Sequence, residues 1–186
     1  MRIISGKFKG KKLNPPKDKF TRPLRDLVKE SIFNVIEHSN KININLENSS
    51  VLDLFSGSGS FGLETISRYA KQCIFVEDYP NAFKVLKSNI KNLKCETFCK
   101  SNNLDCFDFI ENIQNEELKF DLIFLDPPYK EKKINLLIEK ILYKNILKQN
   151  GLIVIHRHKK DDVKLTDKLN VIDLRLYGIS KIIFAN

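Results

Sequence analysis

No apolar run in the sequence approaches the ~20 residues needed to cross a bilayer, and residues 1–12 lack the apolar stretch of a secretory signal. A cytoplasmic protein with no membrane contact is expected. Metal-ligating side chains are equally sparse. The histidines are His38, His156 and His158, and the cysteines Cys73, Cys95, Cys99 and Cys106. Zinc sites want paired short spacings, and Cys95 with Cys99 makes one such pair, far from any histidine. No metal is expected, and the cysteines read as reduced core thiols. Repeats and low-complexity tracts are also missing. At 186 residues the chain suits one α/β domain with a small extension.

Negative charge is scarce at one end. Residues 1–29 hold ten Lys and Arg against two acidic residues, Asp18 and Asp26, whereas the other 157 residues hold 22 basic and 21 acidic. A general basic bias would be spread evenly; this one forms an arm, the footprint of a phosphate-backbone binder. Arg2, Lys7, Lys9, Lys11, Lys12, Arg22 and Arg25 are its candidate RNA contacts.

Within the arm, residues 2–13 read as a short β-hairpin with glycines at the turn. Thr21-Arg22-Pro23 opens a helix with Thr21 as its cap. Leu24, Val28, Ile32, Val35 and Ile36 form the apolar stripe, with Arg25 and Lys29 on an exposed face. The expected division is a hairpin-and-helix extension at 1–38, a linker at 39–50 and a catalytic domain at 51–186.

From residue 51 short apolar runs (51–55, 73–76, 96–99, 122–125, 152–155) alternate with helix-like stretches at 60–70, 80–92, 103–113 and 131–147. Such alternation predicts βαβ units and a mostly parallel sheet. Residues 171–176 and 180–184 flank Tyr177-Gly178, which predicts a closing antiparallel hairpin. The expected fold is α/β, a Rossmann-like seven-stranded sheet.

The first core run ends in Asp53-Leu54-Phe55-Ser56-Gly57-Ser58-Gly59-Ser60-Phe61-Gly62. Glycines there permit a tight turn and close approach to a ligand ahead of a helix N-terminus. Glu77, about twenty residues on, suits the hydroxyls of a ribose. Read literally, the pattern also fits NAD. Asp53 argues otherwise: a carboxylate at the mouth of the strand repels a pyrophosphate and attracts the α-ammonium of S-adenosylmethionine. The expected cofactor-binding residues are Asp53, Phe55, Ser56, Gly57, Gly59, Glu77, Asp78 and Asp126, with capping of the helix assigned to Ser58 or Ser60.

The run 120–125 ends in Asp126-Pro127-Pro128-Tyr129. A base amino group is a poor nucleophile because its lone pair is delocalised into the ring. Hydrogen bonds from its two N–H groups to the Asp126 carboxylate and a backbone carbonyl, that of Pro127, favour a pyramidal nitrogen. The prolines stiffen the loop, and Tyr129 offers a ring to stack on an extruded base. Asp126, Pro127, Pro128 and Tyr129 are thus the candidate catalytic residues.

Together these stretches resemble the bacterial RsmD family of 16S rRNA (guanine-N2)-methyltransferases. The resemblance runs through Arg2-Ile3-Ile4-Ser5-Gly6, Gly10-Lys11-Lys12-Leu13, Arg22-Pro23, residues 26–34, the glycine loop, Gly62-Leu63-Glu64, Ser67-Arg68, Ser101-Asn102, Asp126-Pro127-Pro128-Tyr129 and Tyr177-Gly178. It implies a class I fold and S-adenosylmethionine as donor, giving S-adenosylhomocysteine. It also implies a guanine of small-subunit rRNA as substrate, presented on a partly assembled particle, and a monomeric enzyme. Glu77 would hold the ribose and Asn102 would lie near the adenine. One departure stands out: an acidic residue is expected after the fifth core run, and the chain has His156-Arg157-His158, read here as a solvated strand end. A DNA adenine-N6 or cytosine-N4 methyltransferase could use the same tetrapeptide, but little chain is left for a target-recognition region. A protein-glutamine methyltransferase would more typically carry Asn at position 126. A non-catalytic RNA-binding module would be expected to lose Asp53 or Asp126. Nothing resembles the hydride-transfer site of an NAD-dependent oxidoreductase.

Overall fold

A computed structural model describes residues 1–16, 24–114 and 118–186. Its strands are β1 (Ser50–Leu54), β2 (Gln72–Val76), β3 (Cys99–Asn102), β4 (Phe120–Leu125), β5 (Leu147–His158), β6 (Val171–Tyr177) and β7 (Ser180–Ala185). The helices are α1 (Asp26–His38), α2 (Ser60–Ser67), α3 (Pro80–Leu93), α4 (Cys106–Glu111) and α5 (Ile134–Tyr143). The strands form one sheet in the order β3-β2-β1-β4-β5-β7-β6. The first five are mutually parallel, and β7 lies antiparallel between β5 and β6. This is the expected Rossmann-like arrangement. Its order reverses between β1 and β4, which opens a crevice at their carboxyl ends.

Alternate residues of each central strand face opposite ways. Val51, Phe75, Leu122, Phe124, Val154 and Phe184 pack with α1, α2 and α3, whereas Leu52, Leu54, Ile123, Leu125, Ile153 and Ile155 pack with α4 and α5. The third strand starts later than its apolar run suggests, because residues Glu96–Phe98 close a 3-10 turn first. The fifth is longer, since Leu147 pairs with Phe120 ahead of a register shift.

The expected hairpin at 2–13 is present without regular strands: an antiparallel bridge between Arg2 and Lys12 and backbone bonds from Ile3 N–H to the Lys11 carbonyl (2.9 Å), Gly10 N–H to the Ile3 carbonyl (2.9 Å) and Leu13 N–H to the Met1 carbonyl (3.2 Å) close it around a 3-10 turn at Gly6–Phe8. The amides of Ile4 and Ser5 are drawn instead to Glu64 on α2, at 2.8 and 2.9 Å, and that of Phe8 donates to Ser67 Oγ at 2.9 Å. Docking on α2 takes up amides that the two limbs leave unpaired. Gly6 permits it: its φ is +77°, and a Cβ there would sit 1.8 Å from the Ser67 carbonyl oxygen.

The proposed cap Thr21, with Arg22 and Pro23, lies outside the described residues; α1 is preceded by Arg25 in extended geometry. Lys29, expected on an exposed face, is fully buried. Its ammonium donates to the Arg2 carbonyl at 2.7 Å and Ser60 Oγ at 3.1 Å, and lies 3.4 Å from Glu64. Burial lowers its pKa, and the charges of Glu64 and Asp26 oppose that shift. Nor does 39–50 hang free, because Ile42 and Leu46 join the same core cluster as Ile3, Leu13 and Leu24. Among the described residues no helix is long and apolar enough to cross a membrane.

Glu64 thus accepts from Ile4, Ser5 and Arg68 Nε (3.1 Å) beside the Lys29 ammonium. Glu64→Ala strands a buried cation and two amides, so unfolding in urea should show a loss of about 3–5 kcal/mol. A variant within 1 kcal/mol of the parent would remove this network from the forces that hold the arm, since an exposed pair is worth about that much.

Candidate active site

The chain turns sharply after β1. Phe55, Gly57 and Gly59 all have positive φ (59°, 56° and 83°). The Ser56 amide donates to the Val76 carbonyl at 3.0 Å, and that of Gly59 to the Ser56 carbonyl at 2.8 Å. Gly59 is the residue before α2 and supplies no side chain to cap it. Neither Ser58 nor Ser60 takes that role. Asp53, reaching up from β1, accepts the Gly62 amide on Oδ2 at 2.9 Å.

The other oxygen of Asp53 is unusual: among the described residues Oδ1 is a buried polar atom with no hydrogen-bond partner. Burial pushes the carboxyl up to about 8, helped by the charges of Asp126 and Glu77 and opposed by the Gly62 amide. An unpaired buried acceptor is costly. A cationic group lodged beside Oδ1 would both satisfy it and restore the charge.

Glu77 follows β2 and bends back over the loop. Its Oε2 accepts the Gly57 amide at 2.7 Å and its Oε1 the Tyr79 amide at 3.0 Å. Burial raises its pKa while those amides lower it. Asn103 clamps the segment by donating to the carbonyls of Glu77 and Asp78, at 2.7 and 3.1 Å. Asn102, which the resemblance put near an adenine, ends β3 with its amide directed to the Phe75 carbonyl at 3.4 Å. It does not line the cavity described below.

Asp126 leaves the end of β4 beside β1. Arg157 braces the tetrapeptide from β5, donating to the carbonyls of Pro128 (3.4 Å) and Glu131 (3.1 Å) while paired with Asp161. Tyr129 is partly exposed and meets the His158 ring edge-on at 5.2 Å. His156 is not a solvated strand end. It is buried, with Nδ1 2.7 Å from Asp126 Oδ1 and Nε2 2.9 Å from Ser180 Oγ.

These groups enclose a cavity of about 300 Å³. Asp53, Phe55, Ser56, Gly57, Glu77, Asp78 and all four tetrapeptide residues line it, together with Arg25. Gly59 shapes the loop without lining the cavity. Tyr79, His156, Ser180 and Phe61 also face it, and sequence reading missed them. Phe61 stacks on Phe124 with ring centroids 3.8 Å apart and forms the apolar floor. A signal for His156 existed, since residue 156 follows Ile155 just as Asp126 follows Leu125, but it needs the register of Leu125 with Ile155. Arg2, Lys9, Lys11 and Lys12 are exposed outside the cavity, and Lys7 lies over the Phe98 ring at 4.2 Å. Arg22 falls outside the described residues. Those residues contain no group of three or more His, Cys, Asp or Glu able to hold a metal.

The whole chain, residues 1–186, matches the family model described as Conserved hypothetical protein 95. The ribosomal RNA small subunit methyltransferase D of Haemophilus influenzae is 34% identical over 184 residues, covering 96% of this chain and 90% of the relative. That of Escherichia coli is 30% identical over 176 residues, covering 86% and 84%. In fold, the chain is similar to an RNA methyltransferase from Salinibacter ruber solved with S-adenosyl-L-homocysteine. The TM-score is 0.62 at 13% identity, over 88% of this chain and 92% of that one.

The raised pKa of Asp53 carries a signed consequence. The folded chain keeps a proton that the unfolded chain, titrating near 3.8, gives up. That contribution to stability is complete below about 4, declines as pH rises from 4 to 8, and is gone above 8. Asp53→Asn keeps an acceptor for Gly62 and cannot ionise. In thermal melts without ligand its stability relative to the parent should therefore climb between pH 4 and 8 and then level off. A flat difference would show that Asp53 does not carry this shift.

Proposed function

This chain belongs to the ribosomal RNA small subunit methyltransferase D family, and on that premise we propose that it methylates the exocyclic N2 amino group of a guanine in 16S rRNA. The donor is S-adenosylmethionine, and the substrate is a partly assembled small subunit met by a single copy of the chain. One observation carries the reading: Asp126-Pro127-Pro128-Tyr129 and Asp53, whose Oδ1 has no partner among the described residues, line the same cavity. Asp53 Oδ1 suits the donor's α-ammonium, Glu77 and Asp78 suit its ribose, and the turn at Gly57 and Gly59 lets the backbone close on it. Bound there, S-adenosylmethionine supplies an electrophilic methyl on sulfur.

The chain's own residues prepare the nucleophile. Asp126 accepts one N–H of the guanine amine. The Pro128 carbonyl is engaged by the Glu131 amide at 2.8 Å and by Arg157, so the second N–H is assigned to the carbonyl of Pro127. Two acceptors held in place before the substrate arrives favour a pyramidal nitrogen without reorganisation in the transition state. The Tyr129 ring stacks on the extruded base. Asp126 need not deprotonate the amine beforehand, because the nitrogen becomes acidic once methylated.

Residues 1–38 serve as the RNA-binding extension, with residues 51–186 as the catalytic unit. Lys9, Lys11 and Lys12 are exposed and free of the packing that immobilises Lys29. Replacing these three by alanine should leave the affinity for S-adenosylhomocysteine intact. It should also flatten the slope of log affinity for RNA against log salt by roughly 2, at ~0.7 per phosphate contact. An unchanged slope would take the arm out of RNA binding.

The test of the function itself is single-turnover methyl transfer to small-subunit particles, with nucleoside analysis for N2-methylguanosine. Asp126→Ala should lose on the order of 10²–10³ in rate while S-adenosylhomocysteine binding changes little and stability falls by about 1–3 kcal/mol, because His156 Nδ1 loses its acceptor. Asp126→Asn, which keeps one acceptor oxygen, should lie between alanine and the parent. Methylation of adenine or cytosine amino groups instead, or a near-parental rate for folded Asp126→Ala, would overturn the reading.

A further inference from the structure

The substrate-facing carboxylate has little of its own to hold it. Asp126 lies one residue past the end of β4, where its amide reaches the Leu54 carbonyl at only 3.5 Å. Behind it stand two residues from the rigid part of the sheet. His156 belongs to β5 and Ser180 to β7, strands that pair antiparallel through six registered positions. His156 and Ser180 are both buried.

The donors and acceptors fix the contact with the Asp126 carboxylate. A carboxylate only accepts, so the 2.7 Å contact requires a proton on His156 Nδ1. At the other nitrogen the Ser180 hydroxyl, 2.9 Å from Nε2, donates to a bare Nε2 or accepts from an Nε2–H, so it backs the ring in either state. The chain runs from the Ser180 hydroxyl through the imidazole to Asp126 Oδ1, and every polar atom along it is satisfied. Phenylalanine or leucine would fill the space without the bond. A lysine at this depth would have to be desolvated to offer the same donor.

We propose that His156, backed by Ser180, is the positioning residue for Asp126: it pins Oδ1, so that the carboxylate presents Oδ2 to the target amine in one orientation. This rests on the methyl-transfer reading and adds to it a pair of residues that act through Asp126. No covalent or proton-transfer step is assigned to them. A carboxylate free to turn about its side-chain torsions would meet the amine in several poses, and a displacement of about 1 Å at a reacting centre can cost on the order of 10²-fold in rate. An anchor on packed strands limits that loss better than one on a loop.

The test compares His156→Phe, His156→Gln and Ser180→Ala with the parent chain. His156→Phe should lower the single-turnover rate at saturating substrates about 10- to 100-fold. Its KM for small-subunit particles and its affinity for S-adenosylhomocysteine should stay within about twofold of the parent. His156→Gln, whose amide can still donate to Asp126, should recover most of the rate, and Ser180→Ala should lose less than His156→Phe. A folded His156→Phe variant at the parental rate, or a glutamine variant no better than phenylalanine, would overturn the assignment. A second readout needs no substrate: long-range proton–nitrogen spectra of the full chain should show His156 protonated on Nδ1, and a ring protonated on Nε2 alone would refute the chain of bonds. A parent inactive on small-subunit particles would count against the methylation reading, and the ring's state would still decide the pairing.

Discussion

The parallel pairing of β1 with β4 sets Asp53 opposite Phe124 and Leu54 opposite Leu125. Because strand parity is two, that register carries Asp53 and Asp126 onto the same face of the sheet, one step apart at its carboxyl edge. It is also where the strand order reverses, so no crossing helix covers the edge and a crevice opens there. A shift of one residue would send one of the two carboxylates into the opposite apolar layer. The cavity, its acidic lining and its stacked Phe61–Phe124 floor all depend on this pairing.

On that face every column of side chains is apolar within the sheet and polar at the end: Val51 then Asp53, Phe124 then Asp126, Val154 then His156, with Ser180 at the start of the antiparallel β7. Chemistry is confined to the last step because strands buried on both sides tolerate no unpaired polar group further in. The result is a cavity bounded by Asp53, Glu77, Asp78 and Asp126, in which burial, aided by the charges of Asp126 and Glu77, raises Asp53 to about 8. Such a site is strained towards accepting positive charge. A ligand with an ammonium would relieve the cost at Asp53, and the His156 ring lies against Asp126 in the cavity lining.

The arm is tied to this site by α2. The helix begins at the glycine loop, capped by Asp53, and its next turn presents Glu64 to the amides of Ile4 and Ser5. One short helix therefore anchors the ligand loop at one end and the basic segment further along. Lys29, buried between Arg2, Ser60 and Glu64, closes the same knot from α1. The positively charged surface is thereby held in register with the crevice.

The alternation of apolar and amphipathic runs, the glycine loop with Asp53, and the tetrapeptide at 126–129 were legible from residue order, because each depends on neighbours within about ten positions. They led to the parallel sheet, the closing hairpin and most of the acidic residues that line the cavity. Charge counting located the basic arm, but helical spacing misread Lys29, whose position looks exposed until Glu64 arrives from 35 residues away. The hairpin at 2–13 closes through its own backbone, but its docking was hidden for the same reason: the amides of Ile4 and Ser5 found their acceptor on another helix. Whether a serine or Asp53 capped α2 depended on how closely β1 approaches that helix. His156 looked like a solvated end because nothing local marks it; only the alignment of β4, β5 and β7 places its ring between Asp126 and Ser180. Periodicity and local chemistry fix which elements form and which ends can be reactive. Contacts between residues distant in sequence exist only after the strands have chosen their neighbours, so the partners of each buried polar group were decided by the tertiary structure alone.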